Sequence, residues 1–543
     1  MTTQKDFDQI FNTIGDFEKY QWYLYFVLGW TAFTGGINSV GSVFIQYIPY
    51  FHCNVGDSFE LLPIVEDERC PQQNNDTISY SQCTQYQNNQ KNVIVQCLNE
   101  TQKYYYYDKY DSLANSLIKE FDLVCDPRKY FNTIISMLFF LGFLLGGPIS
   151  GYISDNYGRK KTIIIGTFGN AVFNLSSSGS SNWWTYAIFR FLVGMFGNIA
   201  YVAGFVYIIE VIGPKHRATL GIFVQGIFAV GYGCLSVIAA VTPYWRHFQI
   251  VMGCVPLLIL VLIPFLYDSP GYYLSKKQGK LAIKSIIKIG RKNGRNLLKE
   301  DQLLIEDIVN DQISSEVSNQ EKYSFLTLFQ HGSKMTLLTL NLMFNWFVNS
   351  VCYYGLSLNS AALPTNLYVS NALYAIFELP SYVICSYLIT VEGKFFGRRG
   401  TLAVFLLSGG VCCILSTILT EIAFCDKDSH NAFSNPNILA SFILSILGKF
   451  FVAGSFSIAY IITAEAFPTM IRSNAVGACT MIARIGGILT PAILALYDQV
   501  SWLPGIIFGV LAVVAGVLTF FMPETLNQKM LTTFEEADEF YNK

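Results

Sequence analysis

Residues 151–160 read Gly151-Tyr-Ile-Ser-Asp155-Asn-Tyr-Gly158-Arg159-Lys160 and follow a long apolar segment. The glycines permit close backbone packing and a tight turn. Asp155 is suited to neutralising an adjacent basic group or to lying at a helix N-terminus. The basic residues favour the cytoplasmic side of a membrane. Basic inner loops are common in membrane proteins, but that fact explains the charges and not the Gly-x-x-x-Asp-x-x-Gly-Arg spacing.

Related loops recur in the second half of the chain. Gly158-Arg-Lys-Lys-Thr162 follows the second apolar segment, and Gly397-Arg-Arg-Gly-Thr401 follows the eighth. Glu210-Val-Ile-Gly-Pro-Lys-His-Arg217 follows the fourth, and Glu465-Ala-Phe-Pro-Thr-Met-Ile-Arg472 follows the tenth. Many secondary transporters are built from such repeats and hold the substrate between the repeats near the membrane midplane.

The composition excludes several classes of protein. Of the 543 residues, 52% are hydrophobic and only 14% are charged, against roughly 25% charged in soluble domains. This deficit excludes a soluble multidomain enzyme and a disordered chain. The net charge of −2 argues against nucleic acid as a partner.

The hydropathy pattern predicts an all-α polytopic membrane protein with twelve transmembrane helices in two pseudo-symmetric halves. The predicted spans are 23–48, 130–153, 162–180, 183–209, 218–240, 249–266, 334–356, 367–391, 400–421, 437–462, 475–497 and 503–522. The third span is the weakest prediction, because Ser176–Ser181 is polar. The predicted units are an N-terminus (1–22), a first half (23–266) with an outer loop (49–129), a linker (267–333), a second half (334–522) and a tail (523–543).

The short loops predict the orientation of the chain. With the N-terminus inside, nine basic loop residues lie in the cytoplasm and two lie outside, which agrees with the positive-inside rule. The first 20 residues lack an apolar stretch, so we expect the first span to serve as the signal anchor. We therefore expect a multi-pass plasma-membrane protein with both termini cytoplasmic, although an endomembrane fits equally.

The two long hydrophilic stretches differ in character. The outer loop contains sequons at Asn75 and Asn99 and five cysteines, which predict glycosylation and a disulfide-stapled cap. These cysteines are Cys53, Cys70, Cys83, Cys97 and Cys125. The linker begins with a basic amphipathic segment around residues 276–292. Such a segment binds calmodulin or anionic lipid, or simply packs against the inner ends of the bundle.

The loop spacing is typical of the major facilitator superfamily. Over nearly its whole length the chain resembles the organic cation, organic anion and carnitine transporter family. The resemblance rests on Glu120-Phe-Asp-Leu-Val-Cys125, Asn345-Trp-Phe-Val-Asn-Ser-Val-Cys-Tyr-Tyr-Gly355, Phe377-Glu-Leu-Pro380, Glu465–Arg472, Arg484-Ile-Gly-Gly-Ile-Leu-Thr-Pro491 and Pro523-Glu-Thr525. The chain departs from the family at Asp268-Ser-Pro-Gly271, where a Pro-Glu-Ser-Pro-Arg run is usual, and at Lys394, where Asp is frequent.

Charged residues inside spans are costly and are usually paired or functional. Arg190, Glu378, Lys449 and Arg484 lie in mid-span. The resemblance implies that Arg484 faces the substrate cavity, where anion and carnitine carriers tend to have Arg and cation carriers Asp. Glu378 is then a counter-ion of Arg484 or an independent cation-binding carboxylate. For Arg190 and Lys449 a structural role between helices is the main alternative.

Aromatic and polar residues complete the predicted substrate site. Trp346 and Tyr353 are seven residues apart and share a helix face, where an aromatic wall stacks on a ring or an alkylammonium group. The alternative for both is lipid contact or packing. The resemblance also implies cavity positions for Gln225 and Phe228. Asn38 and Asn198 are weaker polar candidates.

We expect alternating access, with the two halves rocking about a central site. Loop residues are predicted to form a gate at the inner end. These residues are Gly151, Asp155, Gly158, Arg159, Glu210, Arg217, Gly397, Arg398, Glu465 and Arg472.

The sequence thus predicts a secondary transporter of small organic ions, in particular anions or carnitine-like zwitterions. The alternatives are an organic cation transporter, a proton-coupled sugar or polyol porter, and a non-transporting receptor. We expect no enzymatic activity, cofactor or metal site, since all five histidines lie in loops or at span ends and no catalytic motif occurs. The expected partners are the substrate and membrane lipid.

Overall fold

Long helices dominate the computed structural model of the protein. It describes residues 9–49, 51–52, 59–63, 80–87, 90–96, 105–106, 115–124, 128–295, 297–318, 325–330, 332–362, 366–393, 396–424, 435–468, 470–528, 531 and 534–542. The predicted disulfide and glycosylation sites lie outside these residues, except Cys83, whose backbone alone is described. Those assignments stay predictions.

The first half contains six long helices, two short helices before the outer segment and one after it. In chain order they are α1 (Ile10–Ile14), α2 (Lys19–Val40), α3 (Ser42–Ile45), α4 (Leu117–Glu120), α5 (Lys129–Tyr157), α6 (Arg159–Ser178), α7 (Trp183–Val211), α8 (Pro214–Val241) and α9 (Trp245–Leu262). A 3₁₀ turn follows at Ile263–Phe265.

The outer segment contains short antiparallel strands that the sequence did not predict. They are β1 (Phe51–His52), β2 (Phe59–Pro63), β3 (Tyr80–Gln87), β4 (Gln90–Gln96) and β5 (Tyr105–Tyr106). One sheet has the order β2-β3-β4, and β1 pairs with β5 in a second sheet.

The linker and the second half contain nine helices of differing length. They are α10 (Pro270–Ser275), α11 (Gly279–Lys292), α12 (Lys299–Ser318), α13 (Ser333–Leu358), α14 (Leu367–Leu388), α15 (Gly397–Phe424), α16 (Pro436–Ala466), α17 (Arg472–Ala495) and α18 (Leu503–Thr519). The C-terminal helix is α19 (Phe534–Asn542), and 3₁₀ turns lie at Phe325–Phe329, Asn359–Ala362 and Leu496–Asp498.

Within the described residues, twelve of these helices correspond to the twelve predicted spans. Eight are long and apolar enough to cross a membrane by length and hydropathy alone. Helix α6, the weakest prediction, is not among the eight. Its Asn170, Asn174 and Ser177 are buried inside the bundle, so its low hydropathy reflects polar contacts between helices rather than exposure to water.

Matching local signals begin equivalent helices in the two halves. The Asn182 side chain accepts a hydrogen bond from the Thr185 amide at 2.9 Å and caps α7. Asn435 caps α16 through the Asn437 amide, also at 2.9 Å. These caps satisfy amide groups that a helix N-terminus leaves unpaired.

The two halves meet along α5 with α17 and along α8 with α14. We call the end of the bundle that carries Ile45 and Lys129 the cap end, and the end that carries Gly158 and Gly397 the motif end. At the cap end, Asn371 of α14 donates to the Tyr232 carbonyl at 3.2 Å and to Ser236 at 2.9 Å on α8. The Phe44 and Tyr368 rings also meet there across the halves, 5.8 Å apart.

At the motif end, the central helices α5 and α17 each carry an exposed glycine. Gly151 of α5 and Gly477 of α17 are exposed, and a Cβ added at either position would meet nothing within 4 Å. The contacts between the halves named above thus lie at the cap end, and α5 and α17 are exposed at these two glycines at the motif end.

The predicted amphipathic segment forms α11 and packs against the N-terminal helix α1. The Asn293 side chain accepts from the Tyr20 amide at 3.0 Å and donates to the Ile14 carbonyl at 2.8 Å. Ile286 and Ile289 are buried in this contact region. The contacts agree with the packing interpretation of this segment.

Candidate substrate cavity and loop motifs

A cavity lies between the two halves. Helices α5, α7 and α8 of the first half and α13, α14, α16 and α17 of the second contribute to its wall. The lining residues are Phe143, Tyr201, Gln225, Phe228, Tyr353, Tyr354, Tyr382, Ala453, Phe456, Ser457, Tyr460 and Arg484. Five are tyrosines, so the wall combines aromatic faces with hydroxyl groups.

Four of the predicted substrate residues line this cavity: Gln225, Phe228, Tyr353 and Arg484. The Gln225 amide donates to the Tyr201 hydroxyl at 3.3 Å. The Phe228 and Tyr353 rings approach to 6.4 Å across the two halves. The structure therefore brings together residues that lie far apart in the sequence.

Among the described residues that line the cavity, Arg484 is the one with a charged side chain. Its guanidinium carbon lies 4.2 Å from the centroid of the Phe143 ring. One guanidinium nitrogen lies 3.5 Å from the Tyr354 hydroxyl. Only 9% of the residue is exposed. A cation held mainly by an aromatic face and a hydroxyl gives the cavity a positive charge.

Glu378 and Lys449 are fully buried and lie behind the cavity wall. The Lys449 ammonium lies 3.5 Å from Glu378 Oε2, and it also donates to Ser357 at 2.7 Å. The structure therefore pairs Glu378 with Lys449, not with Arg484, and Lys449 has the structural partners considered above. Because the pair is neutral overall, the charge of the cavity is that of Arg484.

Trp346 is also one layer behind the cavity. Its indole nitrogen donates to the Thr463 hydroxyl at 2.9 Å, and its ring packs 4.2 Å from the Tyr460 ring. Since Tyr460 lines the cavity, Trp346 supports the aromatic wall from behind in this structure.

Asn38 and Asn198 lie in the first half and do not themselves line the cavity. The Asn198 amide donates to the Phe143 carbonyl at 2.6 Å. Asn38 accepts from Asn174 at 3.1 Å, and Gln249 donates to Asn174 at 2.6 Å. Arg190 donates to the Asn38 carbonyl at 3.3 Å. Asn38, Asn174, Gln249 and Arg190 thus form a buried polar cluster that joins α2, α6, α7 and α9.

The sequence interpretation missed several residues of these two regions. Tyr201, Tyr354, Tyr382 and Tyr460 line the cavity, yet tyrosine is frequent in this chain and spacing alone does not single them out. Asn170 and Asn174 did carry a signal, because two asparagines four residues apart in a span share one helix face.

Within the described residues, an arginine–glutamate pair lies beside the loop motif of each half. In the first, Arg159 lies 2.9 Å from Glu210 and 3.2 Å from Asp155. In the second, Arg398 lies 3.2 Å from Glu465 and also donates to the Ile389 carbonyl. Both pairs form within a half and not between the halves.

The remaining predicted gate residues lie near these pairs. Gly158 and Gly397, which precede the two arginines, have φ values of 98° and 81°, a region that favours glycine. Arg217 donates to the Ile212 carbonyl at 3.3 Å. Arg472 is the first residue of α17. Asp155 has 71% of its side chain exposed, on the same face of α5 as Gly151.

Comparison with known proteins identifies the family. A family model described as sugar (and other) transporter matches residues 83–541. An organic cation transporter protein of Drosophila melanogaster is 30% identical and covers 99% of this chain and 95% of that protein. The chain belongs to the organic cation, organic anion and carnitine transporter family of the major facilitator superfamily.

Two further similar proteins support the assignment to this family. Solute carrier family 22 member 16 of Xenopus laevis is 29% identical over 98% of this chain and 94% of its own length. Organic cation/carnitine transporter 4 of Arabidopsis thaliana is 31% identical over 79% of this chain and 78% of its own length. The chain is therefore a multi-pass membrane transporter and not an enzyme.

Solved structures support the fold. The proton:xylose symporter XylE bound to 6-bromo-6-deoxy-D-glucose has a TM-score of 0.61 at 15% identity and covers 96% of this chain and 99% of that chain. A partially occluded inward open conformation of XylE from E. coli has a TM-score of 0.60 at 14% identity, with 93% and 100% covered. The predicted fold, twelve helices in two halves, is confirmed.

Proposed function

We propose that this transporter carries small organic anions or carnitine-like zwitterions by binding their carboxylate at Arg484. The observation that supports the proposal is the position of Arg484 in the cavity wall, against Phe143 and Tyr354 rather than against a carboxylate in the described residues. An arginine in a poorly hydrated cavity binds a carboxylate through paired hydrogen bonds.

The aromatic wall suits the rest of such a substrate. Tyr353 and Phe228 of the two halves meet at the cavity, and Tyr201 and Tyr460 also line it. Aromatic faces bind apolar bodies and also quaternary ammonium groups. A sugar presents neither a carboxylate for Arg484 nor a charged group for the rings, so the cavity favours an organic ion.

We infer that the protein works by alternating access. In the conformation described, the halves touch at the cap end through Asn371, whereas Gly151 and Gly477 are exposed at the motif end. Rocking of the halves would close the motif end and open the cap end. On closing, the exposed Asp155 would approach the start of α17, where a helix N-terminus favours a carboxylate.

The membrane orientation follows the distribution of basic residues. Arg159, Lys160, Arg398 and Arg399 lie at the motif end, and the positive-inside rule assigns that end to the cytoplasm. Both termini are then cytoplasmic, and the plasma membrane is the proposed location. The cavity would open to the cytoplasm in the conformation described.

Uptake of three substrates of equal shape tests the substrate class. The zwitterion is 4-(trimethylammonio)butanoate, the anion is 5,5-dimethylhexanoate, and the cation is 4-(trimethylammonio)butanamide. In proteoliposomes, we expect the wild-type protein to take up the zwitterion and the anion in preference to the cation. Arg484→Asp should reverse this preference, whereas the same change at the exposed Arg291 of α11 should not.

Other results would favour other functions. Preferred uptake of the cation by the wild-type protein would make this an organic cation transporter. Uptake of xylose, and of none of the three ions, would favour the sugar porter. Failure of the Arg484→Asp variant to change the preference would show that Arg484 does not bind the carboxylate.

A further inference from the structure

Two cavity tyrosines share one buried carboxylate oxygen. The Tyr353 hydroxyl donates to Glu378 Oε1 at 2.7 Å, and the Tyr382 hydroxyl donates to the same atom at 2.5 Å. Both tyrosines line the cavity, whereas Glu378 does not. Glu378 thus contacts the substrate site only through these two side chains among the described residues.

Lys449 lies against the other oxygen of this carboxylate. Its ammonium lies 3.5 Å from Glu378 Oε2, on the other side of the carboxylate from the two hydroxyls. It also lies 3.1 Å from the centroid of the Tyr353 ring and donates to the Tyr353 carbonyl at 3.3 Å. The ammonium therefore contacts one carboxylate oxygen, and the two hydroxyls share the other.

Glu378 Oε1 accepts both of these hydrogen bonds, so both tyrosine hydroxyls act as donors. A tyrosine hydroxyl has one hydrogen, and once that hydrogen is committed its oxygen offers only lone pairs to the cavity. The wall at Tyr353 and Tyr382 therefore accepts hydrogen bonds and carries partial negative charge. The wall at Arg484 has the opposite character.

We propose that Glu378, together with Lys449, is a positioning residue that fixes Tyr353 and Tyr382 as acceptors and thereby selects the cationic end of a zwitterion. The inference rests on the proposed function, because it requires the carboxylate of the substrate at Arg484. On this proposal, the transporter distinguishes zwitterions from simple anions through the buried pair of Glu378 and Lys449, which does not itself touch the substrate.

The charge-neutral double variant Glu378→Gln/Lys449→Gln tests this role. A glutamine side chain both donates and accepts, so the two hydroxyls are no longer fixed as donors. We expect the ratio of the KM for 4-(trimethylammonio)butanoate to the KM for 5,5-dimethylhexanoate to rise about tenfold in proteoliposomes. A merely structural role would move both KM values together and leave the ratio unchanged, which would overturn the proposal.

Two further variants keep the test decisive if the double variant does not fold. Tyr353→Phe/Tyr382→Phe removes the acceptor oxygens without touching the charged pair, and it should raise the same KM ratio. Glu378→Asp retains the charge and should keep a ratio closer to that of the wild-type protein than the double variant does. An unchanged ratio in the tyrosine variant would overturn the proposal.

The wild-type measurement separates this proposal from the proposed function. If the protein takes up both compounds and the variants leave the ratio unchanged, only the positioning role fails. If the wild-type protein takes up the anion but not the zwitterion, the positioning role fails and transport of anions stands. If it takes up neither, both proposals fail.

Discussion

Asp268 and Glu524 occupy equivalent places in the two halves of the transporter. Asp268 Oδ1 accepts a hydrogen bond from the Lys160 amide at 3.2 Å, in the first turn of α6. Glu524 Oε1 accepts from the Arg398 amide at 3.0 Å, in the first turn of α15. Each carboxylate lies at the N-terminus of the helix that follows a loop motif, where a negative charge is favourable.

The residue that follows each of these carboxylates is a hydroxyl donor to the glutamate of the arginine–glutamate pair. Ser269 donates to Glu210, and Thr525 donates to Glu465 at 2.7 Å. The departure from the family run at Asp268–Gly271 therefore preserves the carboxylate and the hydroxyl, but not the arginine. Position 271 lies next to Glu210, because a Cβ added at Gly271 would be 3.2 Å from the Glu210 carboxyl carbon. With glycine at this position, the ion-pair partner of Glu210 is Arg159.

Removal of Thr525 as a donor should destabilise the motif end of the second half. Thr525→Val keeps the shape but leaves Glu465 without this hydrogen bond, which we expect to cost about 1 kcal/mol. The measurement is the unfolding temperature of the purified protein in detergent. Thr525→Ser keeps the donor and should unfold close to the wild-type temperature, while equal loss in both variants would assign the effect to the methyl group.

Replacement of Arg159 by Ala should slow transport without preventing folding. The change removes the ion pair with Glu210 and the contact with Asp155, both of which we assign to the gate. We expect the rate of uptake per reconstituted protein molecule to fall about tenfold, since the lost pair is worth on the order of 1–2 kcal/mol.

Two controls accompany this variant. Arg159→Lys retains the charge without the paired hydrogen bonds and should be intermediate. Arg291→Ala, on the exposed face of α11, should transport at the wild-type rate. Wild-type uptake by Arg159→Ala at equal protein density would contradict the gate assignment.

The sequence was sufficient for the fold because its signals are local and repeated. The loop glycines, Arg159 and Arg398 recur at matching places, and the twelve spans follow from hydropathy. The strands β2–β4 escaped prediction because the outer loop lacks the alternating apolar pattern that indicates a strand.

The site was predictable only in part, because contacts between distant helices leave no periodic signal. Arg484 was identified by its charge inside a span, and the structure places it in the cavity wall. The partner of Glu378 was not predictable, since Lys449 and Arg484 are equally plausible partners until α14 and α16 are packed together. Trp346 and Tyr353 share a helix face, yet only Tyr353 reaches the cavity.

Cysteines at Gly151 and Gly477 should report closure of the motif end. Both glycines are exposed, and a side chain at either would meet no atom within 4 Å in the conformation described. We expect Gly151→Cys/Gly477→Cys to cross-link when the halves close and to lose uptake upon oxidation. Reduction should restore uptake.

The single cysteine variants control for reaction with the seven free cysteines of the described residues. They should keep their uptake upon oxidation. If the double variant reacts with a small thiol reagent equally in the presence and absence of substrate, and never cross-links, the two helices do not approach each other during transport.

Substitution of Trp346 should show whether its indole touches the substrate or only supports the cavity wall from behind. The indole donates to Thr463 and packs on Tyr460, so Trp346→Phe loses a buried hydrogen bond and leaves Thr463 without it. We expect a loss of about 1 kcal/mol in stability and parallel changes in the KM values for 4-(trimethylammonio)butanoate and 5,5-dimethylhexanoate. The double variant Trp346→Phe/Thr463→Val should be no less stable than Trp346→Phe alone, because coupled partners are not additive. A rise in KM confined to the trimethylammonio compound would instead mean that the indole itself contacts the ammonium group, as the sequence first suggested.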